Sequence, residues 1–97
     1  ISGGENVYPA EVERVVNTHP DVLEAAAFAI PHPKWGEAVA CAIRPRPGCE
    51  TDEKALIAYS RERLAHYKCP AKIVFMDDFP RTASGKVQRN VLKAPFW

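Results

Sequence analysis

Apolar residues recur along this chain with a spacing that switches between helical and extended periods, and the switches divide it into six elements. Val12, Val15 and Val16 form one stripe of a helix that Pro9 begins. Proline suits the first helical position, and Glu11 and Glu13 complement the positive end of the helix dipole. His19-Pro20 stops it. Val22 to Ile30 is an apolar run whose length and Pro31-His32-Pro33 boundary predict a strand. Glu37 to Arg44 follows as a second, mostly buried strand with Val39, Cys41 and Ile43 on one face. Pro45-Arg46-Pro47-Gly48 is a turn. Thr51 is placed to cap a second helix, with Asp52 and Glu53 in its first turn and Leu56, Ile57, Ser60 and Leu64 as an inward stripe running to about His66. Lys72 to Met76 reads as a third strand, Asp77 to Gly85 as a loop, and Val87 to Lys93 as a short terminal helix. The order α-β-β-α-β-α predicts an α+β fold, a small domain with a three-stranded mixed or antiparallel sheet packed against about three helices.

Composition narrows the class. The 97 residues are 46% hydrophobic, 26% charged and 9% aromatic, with a mean hydropathy of -0.27. These values exclude a disordered acidic tail, a collagen-like repeat and a transmembrane protein. A chain of this size buries about two-thirds of its unfolded surface, so its core is thin and a sizeable ligand pocket must lie at an edge or be shared. Ile1 is neither an initiator methionine nor the small residue that commonly follows its removal, and no signal-peptide pattern is present. The expectation is a single domain, 1–97, of a longer protein.

The net charge of +1 conceals an asymmetry. Residues 1–50 hold four Lys/Arg against seven Asp/Glu, and residues 51–97 hold nine against five. Arg81, Lys86, Arg89 and Lys93 lie in a stretch without a single acid. Such a segment suits a small ligand bearing phosphate or carboxylate, or is simply a solvated helix face. It is too small for duplex nucleic acid, and no aromatic-rich strand offers stacking for single-stranded bases. Cys41, Cys49 and Cys69 follow no ligand or disulfide spacing, and His19, His32 and His66 complete no metal set. A reduced, cytoplasmic protein with Cys41 in its core is the simpler inference.

Two loops carry candidate chemistry. Paired glycines in Ser2-Gly3-Gly4-Glu5 precede the first helix and allow close backbone approach to a ligand, or serve only a turn. The segment Pro80 to Lys86 invites a phosphate-loop reading that fails, because Pro80 stands where that motif needs glycine and Val87 where it needs Ser or Thr. What remains is Lys86 on a small-residue loop before a helix, a mobile point charge suited to stabilising a phosphoryl or carboxylate oxygen.

In combination the motifs say more. Gly3-Gly4-Glu5-Asn6-Val7-Tyr8-Pro9-Ala10-Glu11-Val12-Glu13, His32-Pro33-Lys34-Trp35-Gly36-Glu37, Tyr67-Lys68-Cys69-Pro70 and Pro80-Arg81-Thr82-Ala83-Ser84-Gly85-Lys86 occur in one order across nearly the whole chain. This resembles the C-terminal domain of the adenylate-forming (AMP-binding) enzymes, and most closely that of fatty-acyl-CoA synthetases. The resemblance implies a ligase that activates a carboxylic acid with ATP as acyl-adenylate and transfers it to coenzyme A. Aryl-CoA ligases and carrier-protein-loading adenylation domains share the pattern, and a freestanding anion-binding module is the alternative from another class. By the same resemblance, this domain is a mobile lid that presents a different face for each step, with ATP, Mg2+ and the acyl pocket on a large N-terminal domain. Lys86 would be the adenylation lysine, and Gly3, Gly4 and Glu5 would line the pantetheine tunnel in the second step. Trp35 would stack on the coenzyme A adenine or, on residue type alone, cap the thin core. Arg61 would meet the coenzyme's phosphates or be a solvated mid-helix charge. The family's hinge and preceding hairpin are expected before Ile1. Without them the chain alone should neither hold these ligands tightly nor turn over substrate.

Overall fold

The structure, a computed structural model, describes residues 8–97. Its elements are α1 (Pro9–Val16), β1 (Val22–His32), β2 (Gly36–Pro45), α2 (Glu53–Arg61), β3 (Lys72–Phe75) and α3 (Arg89–Lys93), with 3-10 turns at His66–Lys68 and Ala94–Phe96. The expected α+β class and element order are both present. β1 and β2 form an antiparallel hairpin that closes with His32 opposite Gly36. β3 joins β2 in parallel, with Cys41 opposite Ile73, so the sheet is the mixed one of the two expected forms, with β2 in the middle. A parallel neighbour requires a crossover, which α2 supplies.

Most element boundaries lie within two residues of expectation; α3 starts at Arg89 rather than Val87, which pairs with Arg81 instead, and α2 differs at both ends. The cap of α2 is Asp52, not Thr51: the helix starts one residue later, and the Asp52 carboxylate accepts the Ala55 N–H at 2.8 Å. The helix also ends at Arg61 rather than near His66. The Ser60 hydroxyl donates back to the Leu56 carbonyl at 2.9 Å, and both Arg63 and Leu64 donate their N–H to the Ser60 carbonyl, tightening the last turn. Leu64 still packs against the core from this tighter turn, so its apolar position met the burial pattern without helix.

Side-chain alternation gives the sheet two buried faces. On one, Ala25, Ala27, Val39, Cys41, Ile43 and Ile73 pack beneath Val12 and Val16 of α1 and Leu56 of α2. On the other, Ala26, Phe28, Ala40 and Ala42 meet Phe79 and Leu92, with Met76, Val87 and Phe96 partly covering them. Both outer strands of the described sheet are guarded by a glutamate. Glu13 of α1 accepts the Ala27 N–H of β1 at 2.7 Å, and Glu53 of α2 accepts the Ile73 N–H of β3 at 2.8 Å. Each glutamate satisfies one edge donor and so makes that edge a poorer template for strand addition.

Candidate functional site

Lys86 stands on a hydrogen-bonded hairpin, where a loop was expected. Arg81 and Val87 pair as an antiparallel bridge, and Thr82 N–H donates to the Lys86 carbonyl at 2.8 Å. The Lys86 N–H returns to the Thr82 hydroxyl at 3.2 Å, and Gly85 N–H donates to the Thr82 carbonyl at 2.9 Å. Gly85 turns the chain at φ +89°, a left-handed conformation that L side chains rarely adopt. The Lys86 side chain is exposed at the tip.

An ion cluster fixes the base of this hairpin. Arg81 bonds to Glu24 of β1 in a short contact and reaches Asp78 at 3.5 Å. Glu24 also accepts from Arg44 of β2 at 2.8 Å, and Arg44 donates to the Asp77 carbonyl at 2.9 Å. The Arg81 hydrogen bond, helped by Arg44 and opposed by partial burial, holds the Glu24 carboxyl below the usual carboxylate range. Further along, Arg89 at the start of α3 grips Glu13 through both carboxylate oxygens at 2.7 Å. The charge asymmetry along the chain is therefore largely internal, because acids of the first half pair with Arg81 and Arg89 of the second. Among the described residues no acid lies within ion-pair distance of Lys86 or Lys93. Half of the basic segment is thus structural, and Lys86 alone sits on the hairpin as an uncompensated charge.

Trp35 and Arg61, far apart in sequence, line one small pocket of about 80 Å³ with His66, Tyr67 and Cys69. Trp35 lies in the β1–β2 turn just before Gly36, whose φ of +80° the turn requires. Arg61 ends α2, and Tyr67 lies in the 3-10 turn that follows. Two aromatic side chains and a guanidinium thus border one pocket. This pocket opens beside α2, while the Lys86 hairpin packs through Val87 on the opposite face of the sheet. Gly3, Gly4 and Glu5 lie outside the described residues.

The sequence did not single out Glu24 or Arg44, and it presented Tyr67 only as part of a motif, with no role. Glu24 carried a usable signal, as the lone acid inside an otherwise apolar strand run. Tyr67 carried another, an aromatic at the head of Tyr-Lys-Cys-Pro. Among the described residues no group of three His, Cys, Asp or Glu side chains could hold a metal ion, and no helix is long and apolar enough to cross a membrane.

The chain is thus a small α+β domain with one uncompensated lysine on a braced hairpin and a pocket lined by Trp35, Tyr67 and Arg61 on the opposite layer. The family model for the AMP-binding enzyme C-terminal domain matches residues 11–86. The 2-succinylbenzoate–CoA ligase of Geobacillus kaustophilus (strain HTA426) is 52% identical over 93 residues, covering 96% of this chain and 19% of that protein. The long-chain-fatty-acid–CoA ligase FadD13 of Mycobacterium tuberculosis is 44% identical over 96 residues, covering 99% and 19%. The solved structure of apo MatB from Rhodopseudomonas palustris superposes with a TM-score of 0.95 at 40% identity, covering 99% of this chain and 19% of that one. This chain belongs to the AMP-binding enzyme C-terminal domain family, and it spans about a fifth of the length of the relatives it matches.

Proposed function

We propose that this chain is the mobile C-terminal lid domain of an ATP-dependent acid–CoA ligase in the cytoplasm. The full enzyme would join a carboxylic acid to ATP, releasing pyrophosphate, and then pass the acyl group from AMP to the thiol of coenzyme A. The observation that carries this reading is Lys86, exposed on an anchored hairpin with no described acid to neutralise it. Its ammonium would bridge the acid's carboxylate and the nucleotide α-phosphate as the new bond forms. Comparable charge stabilisation at a reacting oxygen is worth about 3–4 kcal/mol.

The second step would use the other layer. Trp35 and Tyr67 would take the adenine of coenzyme A while Arg61 meets its phosphates, and Gly3, Gly4 and Glu5 would line the path of the pantetheine arm. Placement of Lys86 and the Trp35 pocket on opposite layers supports a domain that turns between steps. The magnesium that accompanies ATP would be held by the N-terminal domain, since among the described residues no group of three His, Cys, Asp or Glu side chains could hold a metal ion. Three free cysteines support a reducing compartment.

The first motif, Gly3 to Pro9, favours a fatty acid as substrate. A second reading, an aromatic acid such as 2-succinylbenzoate, is favoured by the higher identity to the ligase for that acid. Pyrophosphate release by the full-length enzyme, across fatty acids of rising chain length and 2-succinylbenzoate, with and without coenzyme A, separates them. In the same enzyme Lys86→Ala should slow pyrophosphate release by about a hundredfold or more. It should leave thioester formation from supplied acyl-adenylate nearly intact, and equal loss of both half-reactions would remove the assignment.

A further inference from the structure

We propose that His32 is a positioning residue for Trp35, holding one face of the indole so that the other is presented to the adenine ring of coenzyme A. The inference rests on the reading above that Trp35 contacts the coenzyme. His32 closes the β1–β2 hairpin opposite Gly36, and its half-buried side chain folds back over the turn. It acts there in two ways. Its Nδ1 accepts the N–H of Lys34 at 3.1 Å and of Trp35 at 3.2 Å, which fixes the backbone that carries the indole. That arrangement needs the neutral imidazole with its proton on Nε2.

The imidazole ring also lies on the indole, with centroids 4.3 Å apart and planes inclined by 10°. The two rings are therefore stacked in close contact. Trp35 remains 42% exposed with one face so covered, and it borders the pocket that contains Arg61 and Tyr67. An exposed tryptophan in a turn would ordinarily sample several rotamers and lose that freedom when a ligand binds. Here the backbone and one ring face are ordered on folding, before any ligand arrives, and such pre-organisation strengthens binding without a new ligand contact. An adenine on the free face would complete a three-ring stack of imidazole, indole and purine.

Steady-state kinetics of the full-length ligase test this, with coenzyme A varied at saturating ATP and acid. His32→Ala should raise KM for coenzyme A about two- to tenfold, the range expected from loss of one aromatic stack. The kcat and the rate of pyrophosphate release without coenzyme A should stay unchanged, which also shows that the domain still folds. His32→Phe keeps a ring on the indole and His32→Asn keeps an acceptor for the turn, so each should recover part of the loss. Trp35→Ala should raise the same KM at least as much, and adding His32→Ala to it should have no further effect. If Trp35→Ala raises this KM and His32→Ala does not, or if the two effects add independently, the positioning role is wrong. If Trp35→Ala itself leaves the KM unchanged, the coenzyme reading of Trp35 fails and takes this inference with it.

Discussion

Beneath α1 and α2 the sheet is sealed by Val12, Val16, Ile43 and Leu56, none with any exposed surface. Beneath α3 it is not sealed. A groove of about 370 Å³ remains there between Phe28, Met76, Leu92 and Phe96. The contrast follows from the covering elements. α1 and α2 are eight and nine residues long and each lays a stripe of branched side chains on the sheet. α3 has five residues, too few to hold a helix by its own hydrogen bonds, and it is kept in place by Leu92 and by the Arg89–Glu13 pair. The sealed face is a frame whose rim bears the Trp35 pocket. The looser face carries the Lys86 hairpin, and there the Arg81 ion pairs act together with the packing of Val87 to set the position of the charge.

Paired truncations should expose this difference most strongly. Leu56→Ala opens a cavity in the sealed face and should cost about 3–4 kcal/mol in urea unfolding, whereas Leu92→Ala beside the existing groove should cost about 2. Equal losses would mean that the two faces are equally well packed. Gly85→Ala meets open space but must hold φ +89°, so it should cost about 1–2 kcal/mol in backbone strain. By loosening the hairpin tip it should slow adenylation in the full-length enzyme more than thioester formation.

A smaller effect is expected at the hairpin's base. Glu24→Gln removes the charge that Arg81 and Arg44 share and should destabilise the chain by about 1 kcal/mol above pH 5. Glu24 has its folded pKa depressed by the Arg81 hydrogen bond. The stabilisation is therefore complete above the ordinary glutamate value of about 4.3 and disappears as pH falls through the lower folded value. Thermal melts of wild type and Glu24→Gln should accordingly converge on acidification. The least perturbing probe is chemical. Burial, reinforced by Glu13, pushes the Cys41 thiol up to about 12. Alkylation at pH 8 followed by peptide mapping should leave Cys41 unmodified in the native chain and modified in guanidinium, because the thiolate is the reacting form. Native labelling of Cys41 would mean that the sealed face opens readily.

Much of this architecture was legible in the residues because it depends on local signals. Pro9 and the Val12–Val16 spacing gave α1, alternation at Val39, Cys41 and Ile43 gave β2, and the proline clusters gave the turns. The two ends of α2 moved because several signals compete there. Thr51 and Asp52 both suit a cap, and Leu64 met its burial from a tight turn after Ser60 had bent the helix end. At the candidate site Lys86, Trp35 and Arg61 were visible as residue types in motifs. Their supports were not, since Glu24 is 57 residues from Arg81 and Glu13 is 76 from Arg89.

Sequence alone determined the α+β class, the order of elements, the family resemblance and which lysine carries the candidate chemistry. These follow from short-range periodicity, turn chemistry and motif identity, all of which are written within a few residues of one another. Only the tertiary structure decided which of Arg81, Lys86, Arg89 and Lys93 carry free charge, that Trp35 and Arg61 share a pocket, and that this pocket and Lys86 lie on opposite layers. Charge compensation and the meeting of distant side chains are set by long-range packing of the sheet and its helices, and no local spacing encodes them.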